Sequence, residues 1–480
     1  MPADHGENTP LLDTSRPHQG RLRNALPQWT SIQWRVMLLS AFLMFSVNFG
    51  HFMGTAPQLL IFENTICENY KRSLGREASH TTLGLDGDIC KSEPVQTELA
   101  FISGWKNTLD VLPALLLALP YGVLADKFGR RPFVILSTAA TAISWFNLPL
   151  RLVWLTGMFR APGGGDQFAT FILMTIIADV FSEKQRTTAL FRLASLPIIA
   201  EVVATPISAT LMKVNPWTPF LVGPLIVLAG AVFSVLVPET LNKSESRSTE
   251  GTAASPLPPS KPNARSLITS KAKHFIADTK FLWETPKLLI CLVVVFAGVL
   301  DKSSLFLLIQ YASAKLHWTI ARASYLISIR GCMTLATFLV FVPLLSSFLI
   351  RHLHYITLEK DLVIAKIAVT SGIIGYLLIF TASDAVLLTI GCLFVSLSMP
   401  FVITVISIAT CFTPAEHVAT LYTAMSVSQS IGIIAAGPMF AKLYTAGMHI
   451  GLEWSGLPFA AAATLFALIL ISLLFLGPNS

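Results

Sequence analysis

Charge is scarce in this sequence. Asp, Glu, Lys and Arg make up 13% of its 480 residues, about half the share that covers a soluble domain's surface. Hydrophobic residues make up 53%, and the mean hydropathy is +0.64. Such a chain cannot dress a water-facing globule, so it reads as an integral membrane protein. Acids are scarcer than bases, leaving a net charge of +7. The bases sit in short clusters at the ends of apolar runs rather than on one face. That pattern speaks against a nucleic-acid partner and for loops that orient a chain in the bilayer.

Other absences narrow the function. Met1 to Thr30 is polar and proline-containing, with no apolar core of a cleavable signal peptide, so the first membrane helix is expected to start insertion. No phosphate-binding Gly-Lys loop, zinc-type Cys/His spacing, deep His/Asp cluster or nucleophile-base pair is present. The expectation is a protein that is no enzyme and needs neither metal nor cofactor. Of six cysteines, Cys291, Cys332, Cys392 and Cys411 lie in apolar runs, where a small hydrophobe suffices. Cys67 and Cys90 flank a polar loop. On the oxidising side of a membrane they can pair, and spacing alone leaves that pairing open.

What is abundant is apolar length. Runs of about 20 residues divide the chain into about twelve spans. The first six are 34–59, 104–124, 133–155, 158–181, 189–212 and 219–237; the rest are 288–309, 323–348, 362–381, 386–411, 420–443 and 456–476. The fold class expected is an all-α membrane protein with two six-helix bundles, at 34–238 and 287–480. A disordered tail covers 1–33, and a Ser-, Thr- and Pro-rich linker covers 239–286 with a basic amphipathic piece near Ser270 to Phe281. Glu7 to Leu12 has an acidic dileucine shape, so a vacuolar membrane stands beside the plasma membrane as destination. Arg16, Arg21, Arg23, Lys127, Arg130, Arg131, Lys184, Arg186, Arg351 and Lys360 fall on one side, and the acid-rich loop after the first span falls on the other. The bias places both termini in the cytosol.

One corner organises the rest. Gly122 to Pro132 is a charged, glycine-punctuated turn between the second and third runs. Gly122 and Gly129 permit close approach and a tight turn. Asp126 can accept from exposed helix-terminal N–H groups, and Arg130 and Arg131 can meet acids on neighbouring loops. Asp179, Glu183 and Arg186, between spans four and five, are the partners expected across the corner.

The spacing Gly122-x-x-x-Asp126-Lys127-x-Gly129-Arg130-Arg131 resembles the loop 2–3 signature of the major facilitator superfamily, at the position where that family carries it. The likeness covers Trp34 to Leu476 and implies two pseudosymmetric bundles, a central cavity and alternating access. It makes Asp126 and Arg131 parts of a cytoplasmic gate. Arg160 followed by Gly163-Gly164-Gly165 is similar to the family's span-four arginine-glycine element. Pro238-Glu239-Thr240 is similar to an ending of span six common in fungal carriers. Span five departs from the glycine-proline element of proton-coupled drug antiporters, reading Glu201-Val202-Val203-Ala204-Thr205-Pro206. Span eleven carries Gly432 to Pro438 instead, a stretch suited to close packing and bending.

Ionisable groups at membrane depth need a partner or a watery cavity. Asp166, Glu201 and Asp301 are the deep acids, and Arg330 is the matching base. A carboxylate in low dielectric can hold its proton near neutrality, as a proton-coupling site requires. Glu201 or Asp301 is therefore expected to carry a proton, with Arg330 and Arg160 pairing with it or with an anionic substrate. Asn48, His51 and Gln429 are candidate substrate contacts or helix–helix bonds. Lys106 and Asp110 read as a local pair at the outer end of span two. The expected partners are a small organic molecule, protons as coupling ion and the lipid bilayer, handled by a monomer. Proton-coupled export of a metabolite or toxin leads, with uptake of a nutrient or organic anion, or a non-transporting receptor, as alternatives.

Overall fold

The computed structural model describes residues 29–74, 89–144, 150–181, 183–239, 282, 285–414 and 417–476. The acidic dileucine stretch, nearly all of the linker and its amphipathic piece lie outside the described residues. The described residues fold as helices and contain no strand.

The N-terminal half comprises α1 (Ser31–Ser73), α2 (Glu93–Phe128), α3 (Arg131–Ile143), α4 (Thr156–Arg160), α5 (Gly165–Val180), α6 (Glu183–Met212) and α7 (Trp217–Ser234). The C-terminal half comprises α8 (Pro286–Lys315), α9 (Ile320–Ala336), α10 (Val342–Leu353), α11 (Thr357–Thr381), α12 (Ala385–Ser398), α13 (Phe401–Cys411), α14 (Val418–Ile450) and α15 (Leu457–Leu474). Among these, eight helical stretches are long and apolar enough to cross a membrane. In the first half α1 packs on α6 and α7, and α3 on α7; in the second, α8 packs on α14, and α11 on α12 and α15. The halves meet where α2 packs on α14 and α6 on α9. This is the two-bundle architecture the apolar runs imply.

Helix boundaries depart from the apolar runs where polar residues are buried. The first helix starts at Ser31, where Thr30 and Gln33 form a reciprocal cap. It continues to Ser73, past Leu59. Glu63, which by sequence belongs to the acid-rich outer loop, lies on this helix and is 4% exposed, bonded by Lys91 and Gln96. Span three is shorter than expected: α3 ends at Ile143, and Leu150–Leu155 already belongs to the returning limb as a 3-10 turn. Trp154 then donates to the Ile102 carbonyl of α2 at 3.3 Å. The returning limb is broken, because Pro162 and two glycines at positive φ, Gly164 (73°) and Gly165 (77°), interrupt helical bonding between α4 and α5.

Glycines bring helix backbones together both between the halves and within the second half. A methyl group on Gly104 of α2 would lie 2.7 Å from the Gly437 carbonyl oxygen of α14, and Gly432 meets the Phe296 carbonyl of α8 equally closely. The small-residue stretch of span eleven thus packs backbone against backbone, as expected of it.

Candidate functional site

Three polar assemblies sit on this frame. The first is the 2–3 corner. Gly129 ends α2 with φ 102°, a conformation in which a side chain is strained, and a methyl there would strike the Glu239 carboxylate. That carboxylate accepts from the backbone N–H of Arg130 at 3.0 Å and of Arg131 at 3.2 Å. It therefore satisfies donors at the start of α3 and opposes the positive end of the helix. The Arg130 guanidinium pairs with Asp179 at the end of α5. Arg131 donates to the Val235 carbonyl at 2.6 Å. The corner thus ties the ends of α2, α3 and α5 to the chain leaving α7.

Asp179 is the expected partner that the structure brings in, and Arg186 is exposed. The side chains of Asp126 and Glu183 and the surroundings of Gly122 lie outside the described residues. Glu239 accepts from the N–H groups of Arg130 and Arg131 at the start of α3. In the sequence Glu239 stands out only as part of the family-like ending of span six. The available signal was an acid immediately after span six, on the same side as the two arginines.

The second assembly is a buried ion pair between the halves. Glu201 on α6 accepts from Arg330 Nη2 on α9 at 2.6 Å, and the two residues are 7% and 5% exposed. Gly331, next to Arg330, leaves room for Val202 and the Glu201 stem. Ser396 of α12 donates to the Arg330 carbonyl at 3.2 Å, fixing the backbone behind the base. The expected pairing of this acid and base is thus formed, and it spans the seam between the bundles. The side chains of Asp166 and Asp301 lie outside the described residues.

The third assembly extends the local pair that the sequence suggests on span two. Lys106 and Asp110 do bond at 2.6 Å, four residues apart on α2. This local pair is buried, 8% and 9% exposed, and is joined from another helix: Arg160 of α4 approaches the same Asp110 oxygen at 3.8 Å. Thr156 donates to the other Asp110 oxygen at 3.0 Å, and Arg160 Nε donates to the Ser144 hydroxyl at 3.0 Å. The breaks in the fourth span turn Arg160 inward, and no periodicity rule places it there. His51, Lys106, Asp110 and Arg160 line one cavity. His51 thus stands at the cavity. Asn48 donates to the Met44 carbonyl of its own helix at 2.7 Å, and Gln429 is half-buried on α14.

Beyond the cavity the halves are closed at the end that carries a disulfide, Cys67–Cys90. There Lys91 bridges Glu63 and Ser313 at 2.6 Å each, and Gln310 of α8 donates to the Gln96 carbonyl at 2.6 Å. Lys213 of α6 lies over the Tyr325 ring of α9 at 5.8 Å.

Two helical bundles with buried charges at their seam, and with a cavity behind a closed end, define a polytopic membrane carrier. The family model for the Major Facilitator Superfamily matches residues 37–437, and the chain belongs to that superfamily as a transporter. It is 30% identical over 441 residues to the "MFS-type transporter avaK" of Aspergillus versicolor, covering 92% of each chain. It is 31% identical over 432 residues to the "Efflux pump ustT" of Aspergillus flavus, covering 86% of this chain and 83% of that one. A crystal structure of the nucleoside transporter NupG shares the fold, with a TM-score of 0.62 at 13% identity, covering 93% of this chain and 99% of that one.

Proposed function

We propose that this transporter exports a small organic metabolite or toxin in exchange for protons, by alternating access. The observation that carries the coupling is the Glu201–Arg330 pair, buried and shared between the bundles. Breaking such a pair by removing one partner leaves a buried charge uncompensated, at a cost of about 3–5 kcal/mol. Protonating Glu201 discharges one partner at that seam and weakens the bond that holds α6 against α9. Proton binding and opening of the closed end are then one event. Export is supported by relatives whose names call them efflux pumps.

The corner at Gly129 acts in this reading as the cytoplasmic gate. It makes its bonds within the N-terminal half while the opposite end is closed, and engages across the halves when that end opens. The positive-inside bias supports cytosolic termini, with the plasma membrane as the site of export.

The test is a pair of measurements. Culture medium and cells with and without the gene are compared for small molecules; deletion should raise internal levels of the cargo, and lower internal levels on deletion would mean uptake. In vesicles loaded with that cargo, Glu201→Gln should keep exchange and lose acceleration by a pH gradient. Unchanged dependence on the gradient would remove Glu201 from the coupling role.

A further inference from the structure

The seam at the disulfide end is made differently from the one at Glu201. Lys91 Nζ donates to Glu63 Oε1 and to the Ser313 hydroxyl, at 2.6 Å each. Glu63 lies on α1 one helical turn before Cys67, and the Cys67–Cys90 disulfide ties the turn carrying Lys91 to that same helix. Gln96 of α2 donates to the same Glu63 oxygen at 2.6 Å. The charge of the lysine is thus met inside the N-terminal half. What the C-terminal half presents to it is neutral. The buried Ser313 hydroxyl is aimed by its own bond to the Trp318 carbonyl at 2.7 Å, and the buried Gln310 amide donates to the Gln96 carbonyl at 2.6 Å. His449 of α14 also meets Glu93 of α2 at this end, but their side chains are 63% and 42% exposed, where water screens an ion pair.

We infer that Lys91 is the positioning residue of an outer gate, a seal that opens without separating the buried Lys91–Glu63 pair. When the bundles part at this end, Lys91 travels with Glu63 and gives up a hydroxyl. Parting two buried charges leaves each uncompensated in a low-dielectric seam, whereas parting a charged donor from a hydroxyl leaves the charge still paired. The charge nonetheless serves closure, because a hydrogen bond from an ionised donor is about twice as strong as a neutral one. Glu201 and Arg330 instead divide their opposite charges between the halves. That seam yields to discharge of its acid, and the Lys91 seal needs no such change. What keeps the seal reversible is the location of its anion, on α1 rather than on α8. This assignment deepens the alternating-access reading above and rests on it.

The test uses the full-length protein in lipid nanodiscs, with Cys332 and Cys411 replaced by Ser and spin labels at Arg72→Cys of α1 and Arg322→Cys of α9, both exposed positions. Glu201→Gln, which discharges the other seam, should add a longer distance, that of the open end. In this background Ser313→Ala should raise the ratio of open to closed about tenfold, the effect of one hydrogen bond to a charged group. Lys91→Met should do the same, and Lys91→Arg should return the ratio to that of the background. Glu63→Gln combined with Ser313→Asp keeps the charge count and moves the anion across the seam, so it should remove the longer distance. Monodisperse elution checks folding, and Ser313→Ala decides the matter if the double variant does not fold. An unchanged ratio in Ser313→Ala, or a longer distance that persists in the folded double variant, would overturn the assignment. The two readings separate. If Glu201→Gln alone adds no longer distance while Ser313→Ala does, Glu201 loses the coupling role and the seal stands. If Glu201→Gln adds it and the Ser313 variants leave it as it was, the seal is discarded and the coupling stands.

Discussion

Glu239 shows how much one residue outside the recognised spacing can contribute. Its carboxylate sits against two N–H groups at the start of α3 and against the Cα face of Gly129. Glu239→Ala removes a helix cap, worth about 0.5–2 kcal/mol. Gly129→Ala forces a side chain into a region that costs about 1–3 kcal/mol and displaces the same carboxylate. Both variants should lower the melting temperature of the purified protein, Gly129→Ala by more, and both should slow turnover more than they weaken cargo binding. Loss of binding with normal turnover per bound molecule would remove the corner from the gate. At this scale the residue types are legible, since depth in an apolar run alone marks Glu201 and Arg330 as an acid and a base that need partners. Glu239 is not, because its role depends on where the chain leaving α7 passes.

At the scale of elements, the disulfide end is built from segments whose helical length exceeds their apolar length. α1 runs on to Ser73 carrying Glu63 and Cys67, and α2 begins at Glu93, before its apolar run. The disulfide fixes Lys91, one residue after Cys90, where it bridges Glu63 and Ser313. Cys67 and Cys90 are 23 residues apart, and closing a loop of that order contributes about 3 kcal/mol. Replacing both with Ser should lower thermal stability and make the closed end more accessible to a membrane-impermeant thiol reagent at Ser313→Cys. Unchanged labelling of that cysteine would show that the bridge holds without the disulfide. Hydropathy underestimates these helices because it cannot register that a buried partner neutralises each polar residue.

For the whole molecule, the closed end depends on backbone contact between α2 and α14. Gly104 and Gly437 meet there with no space for a side chain, and Thr108 donates to the Ile434 carbonyl at 2.9 Å. Gly437→Leu should hold the bundles apart at this end. Spin labels on the ends of α2 and α14 near the disulfide should report a longer distance in the variant, and gradient-driven flux should fall at least tenfold. A distance equal to wild type would mean that the contact is not what closes the halves.

The sequence by itself determined the class of molecule: apolar runs of bilayer length, bases gathered on one side, two sets of spans around a polar linker, and a corner with a family spacing. These are properties of local composition, and the bilayer imposes them on each segment separately. Only the tertiary structure decided that Lys106 and Asp110 join Arg160 at a cavity, that Glu239 bonds the start of α3, and that α3 ends at Ile143. Each of those outcomes depends on which residues the breaks at Pro162 to Gly165 and the glycine contacts between helices bring within bonding distance. Distance between segments remote in the chain is a product of packing, which no single run of residues encodes.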